Sequence, residues 1–223
     1  MKKPAFLFSL LILVYVSVFC CFSLVCFGAD YSTINGCLDN ALRLKQAGDI
    51  DGAISSIRRA LSTDFLKKEL KPGADDGDIY TKEYLQILIK YLKADEITYT
   101  AIINHITSVV KKTKELFFEM ADELKAGKFS KNTASSIKEM KLQMSREMVT
   151  HSFCVPPKGY KKVYDLIQTA LFWYSKAWEN LYRFAYEKVN EKANLEAEAL
   201  LSFQKGNELF SRAGTLMVVT PTR

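Results

Sequence analysis

The side chains that most often carry chemistry are few in this sequence. It contains two histidines, His105 and His151, and outside its first 29 residues two cysteines, Cys37 and Cys154. His151 and Cys154 have the short spacing of a metal-ligand pair, but no second pair of ligands accompanies them. Nucleophile motifs, phosphate loops and haem-attachment sequences are absent from the sequence. We therefore predict a protein that is not an enzyme and holds no metal or cofactor, unless a histidine lies beside a carboxylate in a cleft.

Two acidic turns superficially resemble parts of a calcium-binding loop. One is the Asp-Asp-Gly-Asp segment at 75–78, and the other is Asp-Ile-Asp-Gly at 49–52. Aligning either glycine with that of a calcium loop leaves too few oxygen ligands for the ion. Both segments are therefore predicted to be turns and helix caps.

The first 29 residues predict where the protein works. Lys2 and Lys3 precede a run from Ala5 to Ala29 that contains no charged side chain. This layout is typical of a secretory signal, here residues 1–28. The run is also long enough for an uncleaved membrane anchor through residues 5–28, and lipidation of a leader cysteine is a third interpretation. Each interpretation predicts an exported protein, periplasmic or extracellular, with or without attachment to the inner membrane.

Export affects how the cysteines and the charge are interpreted. An even number of cysteines in an oxidising compartment predicts a Cys37–Cys154 disulfide, with two buried thiols as the alternative. The net charge of +6 includes Lys2 and Lys3, and the rest of the excess is spread along the chain. A dispersed excess is typical of solvated helix faces, so nucleic acid is not expected as a partner.

The sequence after the leader predicts helices almost throughout. It has only four prolines beyond the leader and no stretch of sustained two-residue alternation. The predicted helices lie at about 34–47, 51–66, 81–92, from beyond 95 to 126, from 130 to the proline pair at 156–157, 159–192 and 195–212. We expect an all-α protein in which an N-terminal helical hairpin precedes an antiparallel bundle of three to four long helices. The predicted divisions are the leader, a hairpin unit at 30–70, a bundle at 79–214 and a tail at 215–223.

The helix after Asp95 carries an apolar stripe in steps of three and four. Such steps indicate an amphipathic helix with a coiled-coil-like seam. The stripe consists of Ile102, Ile106, Val109, Thr113, Leu116, Met120 and Leu124. The next helix carries a methionine row on one side, formed by Met140, Met144 and Met148 after Ile137.

The segment 37–61 resembles a single tetratricopeptide-type helical hairpin. The resemblance lies in Ala41, Leu44, Gly48, Ala53, Ile57, Ala60 and Leu61. Asn40 and Phe65 depart from the pattern, and no second copy follows one repeat length later, where Lys82 stands at the turn glycine. Because repeat arrays need about three units, the resemblance implies a structural hairpin rather than a peptide-binding groove.

The region 112–214 is similar in layout to helical domains of uncharacterised exported bacterial proteins. The shared marks are a turn at 126–129, a proline pair before a long helix, and the late glycine Gly206. This second resemblance implies no activity.

The helix at 159–192 is the main candidate for binding because it is rich in aromatic residues. Its predicted core stripe is Ile167, Leu171, Tyr174, Trp178, Leu181 and Ala185. Tyr and Trp suit binding surfaces because they bury a large area and keep one polar atom. The predicted binding residues are Trp173, Trp178, Tyr182, Phe184 and Tyr186. The alternative is that the bundle surrounds this helix on more than one side and buries it.

Two functions of different classes follow from these features. The first is a non-catalytic scaffold or binding protein whose partner is another protein. The second is a receptor for a small apolar or aromatic ligand, held between helices near Trp173, Trp178 and the methionine row. A receptor predicts an internal cavity, whereas a protein-binding role predicts an exposed aromatic patch over a solid core.

Overall fold

A computed structural model describes residues 33–62, 82–128, 130–186 and 192–219. This part of the chain forms seven helices and no strand, which confirms the predicted all-α class. The helices are α1 Ile34–Gln46, α2 Ile50–Ala60, α3 Lys82–Leu92, α4 Glu96–Lys125, α5 Lys131–Ser152, α6 Lys161–Tyr186 and α7 Lys192–Val219. The predicted leader and the acidic segment at 75–78 lie outside the described residues. Among the helices described, none combines the length and apolar character needed to cross a bilayer.

The helix ends are set by caps that the sequence encodes locally. Asp49 caps α2, since its Oδ1 accepts a hydrogen bond from the Gly52 backbone N–H at 2.8 Å. This confirms the prediction that the 49–52 turn is a cap. Gly127 has φ +69° and closes α4, with the Lys128 N–H donating to the Glu123 carbonyl at 2.9 Å. Only a residue that tolerates positive φ closes a helix in this way without strain.

Three predicted boundaries are wrong. The second helix ends at Ala60 rather than 66, and the aromatic helix begins at Lys161 rather than 159, while residues 187–191 of its predicted span lie outside the described residues. The predicted tail, 215–223, begins inside α7, which continues to Val219. Leu216 and Met217 pack against the bundle core, and this contact favours helix in a segment too short to assign from sequence.

The N-terminal unit is built by α1, α2 and α3 around one apolar cluster, here called the hairpin cluster. Ala41, Ala53 and Ala60 are fully buried, because small side chains let the paired helices approach closely. Asn40, which departs from the tetratricopeptide pattern, donates from Nδ2 to Ser56 Oγ at 3.2 Å. Ser56 Oγ in turn donates to the Cys37 carbonyl at 2.8 Å, which links α2 to α1. The predicted hairpin is confirmed, while its tetratricopeptide resemblance stays a prediction.

The four long helices α4 to α7 form the antiparallel bundle. Lys141 in α5 contacts Glu179 late in α6, whereas His151 at the end of α5 contacts Gln168 early in α6. Further contacts join α4 to α5 through Thr113 and Met144, α6 to α7 through Tyr174 and Asn207, and α4 to α7 through Phe117 and Phe203. The resulting core is here called the bundle cluster.

The predicted stripe of α4 faces this core with one shift. Phe117 is fully buried, while Leu116, which the stripe includes, is only partly buried. An α-helix has 3.6 residues per turn, so a stripe written in steps of 3.5 drifts around the helix. The drift places Phe117 against Phe203, with ring centroids 4.1 Å apart.

Candidate functional site

The aromatic helix α6 packs against α5 on one side and α7 on the other, with α4 across the core. Its buried surface is therefore wider than a two-helix contact would produce. Trp178 is 0 % exposed and meets Phe117 edge to face at 5.3 Å, and Phe184 is 8 % exposed. These two predicted binding residues are core residues of the described structure, and they support the surface rather than form it.

Trp173 lies partly exposed at the line between α6 and α7. Phe172 packs edge to face against its ring at 5.5 Å. Lys205 Nζ of α7 and Lys176 Nζ of α6 lie 4.4 and 5.4 Å from the centroid of the Trp173 ring. Both cations favour the negative face of the indole, so they hold the ring in one orientation.

Tyr182 and Tyr186 form a second aromatic pair further along α6. Their ring centroids are 4.6 Å apart, and Tyr186 is 53 % exposed. Lys141 Nζ of α5 lies 4.3 Å from the centroid of the Tyr182 ring and 2.8 Å from Glu179 Oε2. Tyr182 therefore lies beside an ion pair between Lys141 and Glu179, and this ion pair links α6 to α5.

A line of exposed and partly exposed side chains along α6 is here called the outer seam of α6. It consists of Phe172, Lys176, Glu179, Arg183 and Tyr186, none of which is buried. Phe172 and Tyr186 are fourteen positions apart, which corresponds to about 21 Å along a helix. The seam is apolar at its ends and charged in the middle.

Phe172 is the aromatic residue of the seam that the sequence-based set of binding residues omits. It is 50 % exposed. The seam residues follow one another at sequence spacings of four and three, on the side of the helix away from the core stripe. The sequence therefore contained the signal that places Phe172 on this side. What the sequence did not show is that this line stays exposed or partly exposed when α5 and α7 pack against α6.

The histidines lie in two different environments. His105 Nε2 lies 3.2 Å from Glu147 Oε1, so one histidine does stand beside a carboxylate. The His105 side chain is 55 % exposed on the surface where α4 meets α5. The pair lies on a helix surface rather than in a cleft, so it does not shield a substrate from water.

His151 is fully buried where α5 ends. Its Nδ1 lies 2.7 Å from Gln168 Oε1, and its ring stacks on Tyr164 with centroids 4.7 Å apart. Gln168 Nε2 donates to the Met148 carbonyl, which turns Gln168 Oε1 toward the histidine and assigns the proton to Nδ1. Burial lowers the pKa of His151 to about 4, so the ring is neutral at pH 7.

Lys45 ties α1 to the bundle beside His151. Its Nζ donates to the Ser152 carbonyl at 2.6 Å and to Tyr164 Oη at 3.1 Å. Burial lowers the pKa of Lys45 to about 8, and the positive charge of Lys161 acts in the same direction. The cation stabilises the C-terminal end of α5, where the last helix carbonyls carry partial negative charge. Because its donors are engaged by protein groups, we interpret this contact as structural.

The predicted disulfide is not formed in the structure. Cys37 and Cys154 are both buried thiols. Cys37 packs in the hairpin cluster, whereas Cys154 packs in the bundle cluster, so folding directs the two side chains into different cores. Burial raises the pKa of Cys154 to about 12, with Lys45 acting in the opposite direction, so this thiol is a weak nucleophile at pH 7.

In the part of the chain that is described, His, Cys, Asp and Glu side chains form no group of three or more that could hold a metal ion. Comparison with known proteins finds no matching family model, no matching curated protein and no matching solved structure. The function is therefore argued from the geometry of α6 and its neighbours.

Proposed function

We propose that this chain is an exported, non-catalytic helical-bundle protein that binds a partner protein through the outer seam of α6. The observation that carries the proposal is the exposure of large aromatic rings at both ends of the seam. Phe172 is 50 % exposed and Tyr186 is 53 % exposed. Aromatic side chains are enriched at the centres of protein interfaces, because they bury much area for little lost conformational entropy.

The rings of the seam are held in place before any partner arrives. Phe172 packs on Trp173, and Tyr186 packs on Tyr182. Side chains that are ordered in advance lose less entropy on binding, so more of the contact energy appears as affinity. The charged residues Lys176 and Glu179 between the rings would then set the register of the partner.

The packing beneath the seam also supports a protein-binding role. Trp178, Phe117 and Phe203 form a contiguous group of buried rings under α6. A closely packed core keeps the seam rigid, as a docking surface requires. Export rests on the sequence of residues 1–29, and it places the partner in the periplasm, outside the cell or at the membrane.

The seam is tested by site-specific photo-crosslinking in the native host. A photoreactive phenylalanine analogue replaces Phe172 or Tyr186 in the full chain, and in a matched control it replaces Ile97, which is 81 % exposed at the start of α4. We expect the same discrete crosslinked protein from both seam positions and none from Ile97. No crosslink from either seam position, or equal crosslinking from Ile97, contradicts the proposed function.

A receptor for a small apolar or aromatic ligand is the second candidate. The observation that favours it is the indole N–H of Trp178, a buried donor that has no hydrogen-bond partner among the described residues. A buried polar group without a partner costs free energy, which an acceptor on a ligand would recover. In a Trp173→Phe variant, Trp178 is the only tryptophan, so the fluorescence emission reports on Trp178 alone. A saturable change in its emission with small aromatic probes supports the receptor, and an unchanged emission contradicts it.

A further inference from the structure

Two rings of α6 each have two lysine ammonium groups near them, Tyr164 and Trp173. At Tyr164, Asp165 pairs with Lys161, and Lys45 donates to the Ser152 carbonyl and to Tyr164 Oη. Lys205 and Lys176, from two different helices, both direct their ammonium groups to the Trp173 ring, at 4.4 and 5.4 Å from its centroid. Within the described residues, neither ammonium group forms an ion pair with a carboxylate. Two positive charges therefore converge on a partly exposed aromatic ring, and no carboxylate of the described residues neutralises them.

The contact of Lys141 with Tyr182 provides an internal comparison. There the ammonium group lies 4.3 Å from the ring centroid, which is the same kind of contact. Glu179 Oε2 lies 2.8 Å from that ammonium group and neutralises it. Glu179 thus balances the cation at Tyr182, whereas no carboxylate among the described residues pairs with either cation at Trp173.

We infer that the Trp173 surface binds an acidic segment of the partner protein, whose carboxylates neutralise Lys176 and Lys205 while an apolar group lies on Trp173 and Phe172. This inference rests on the proposed function, because it names the chemistry of the partner at one end of the outer seam. Charge complementarity carries it, since a carboxylate gains most where two uncompensated positive charges meet. The partly buried indole adds apolar contact area that lysines alone do not offer.

An acidic protein segment fits this surface better than an anionic membrane does. A membrane-bound surface needs several apolar side chains on one plane beside its basic residues. The exposed large apolar side chains of the described residues are instead distributed over α3 to α7; they are Ile87, Ile97, Phe118, Leu142, Phe172, Tyr186 and Leu201. An acidic protein segment that follows the line between α6 and α7 needs only the apolar surface of Trp173 and Phe172.

The fluorescence of Trp173 reports on this site directly. The chain has two tryptophans, and Trp178 is fully buried, so a Trp178→Phe variant of the full chain leaves Trp173 as the single reporter. The probe is an octaglutamate peptide, with octalysine as its charge-reversed control. Calorimetric titration of the unsubstituted protein measures the same affinity, so the test does not depend on the core substitution.

We expect saturable binding of octaglutamate that shifts Trp173 emission and weakens at high salt, because exposed charges are screened. A K176Q/K205Q double variant should lose affinity by about tenfold, whereas K141Q should change it by less than about twofold. Far-ultraviolet circular dichroism confirms that each variant keeps its helices.

Three results would overturn the inference. The first is the absence of saturable octaglutamate binding, and the second is equal affinity in the K176Q/K205Q variant. The third is stronger binding to phosphatidylglycerol vesicles than to the peptide, which would assign the surface to lipid. Crosslinking at Phe172 and Tyr186 is a separate measurement. If octaglutamate does not bind, the proposed function is not contradicted. If no protein crosslinks, the proposed function is contradicted, but the measured affinity for octaglutamate is unaffected.

Discussion

His151 shows how the fold changes the chemistry of a single side chain. In the sequence it stands three residues before Cys154 and has the spacing of a metal ligand. In the structure it is fully buried, bonded to Gln168 and stacked on Tyr164. Its neutral ring therefore has a structural role at the end of α5, and its contribution to stability depends on pH.

Acidification should destabilise the protein through His151. In the unfolded chain this ring takes up a proton near its ordinary pKa of 6.5, whereas burial lowers its pKa in the folded protein to about 4. Between these values the unfolded state binds more protons, so the free energy of unfolding falls as the pH falls, by about 3 kcal/mol in total. Denaturant unfolding at pH 7, 5.5 and 4.5 measures this loss.

Nuclear magnetic resonance of the histidine ring protons provides the direct control. With only two histidines, an H105Q variant assigns the remaining resonance to His151. We expect that resonance to stay in its neutral position down to about pH 5. A titration midpoint near 6.5 would show that His151 is exposed, and it would contradict the structure at this point.

At the scale of elements, α6 and α7 are tightly packed at Gly206. A Cβ atom at this position would lie 2.9 Å from Cδ1 and Cε1 of the Tyr174 ring. Tyr174 is fully buried, and its Oη donates to Asn207 Oδ1 at 2.9 Å, so the ring has little freedom to move. The absence of a side chain at Gly206 therefore sets the distance between the two helices.

Gly206→Ala should destabilise the protein although alanine favours helix. Overpacking a core position costs roughly 1–3 kcal/mol, which exceeds the gain of about 1 kcal/mol from replacing a helical glycine. Gly214→Ala on the same helix is the matched control, since a Cβ there meets nothing within 4 Å. It should stabilise by about 0.5–1 kcal/mol. Thermal unfolding of both variants checks the prediction, and two shifts of the same sign would contradict it.

At the scale of the whole molecule, the hairpin cluster packs against the C-terminal end of α5, where Phe153 is fully buried in it and Val149 and Val155 pack beside it. The hairpin cluster is held to the bundle by Lys45 at the end of α5, by Thr150 Oγ1 donating to Tyr84 Oη at 3.1 Å, and by the Val155 N–H donating to the Tyr91 carbonyl at 3.2 Å. The ring of Tyr91 packs against both clusters. Helices at the edge of such a structure open at lower free energy than those at its centre.

Native-state hydrogen exchange should therefore show weaker protection in α1 and α2 than in α6. Ser56→Ala removes the bond to the Cys37 carbonyl and should lower the opening free energy of α1 and α2 by about 1 kcal/mol, with α6 unchanged. Ser55→Ala is the control, because Ser55 is exposed and bonds only within α2. Equal protection in all helices would instead show a single cooperative unit.

Much of this organisation could be predicted from the sequence because it depends on local chemistry. The cap at Asp49, the glycine turn at Gly127 and the spacing of the α4 stripe each involve residues within a few positions of one another. Local signals of this kind predict where helices lie and which residues face inward. The predicted α6 stripe from Ile167 to Leu181 is accordingly buried in the structure.

The division of the aromatic residues into core and surface was decided by tertiary structure alone. The sequence marked Trp178, Phe184 and Tyr186 together, but Trp178 and Phe184 are buried and Tyr186 is exposed, because α5 and α7 pack on different sides of α6. The cysteines follow the same rule, since an even count predicts a bridge while folding places Cys37 and Cys154 in different clusters. Sequence periodicity specifies one face of a helix, whereas exposure depends on how many neighbours pack around it, and that is a property of the assembled fold.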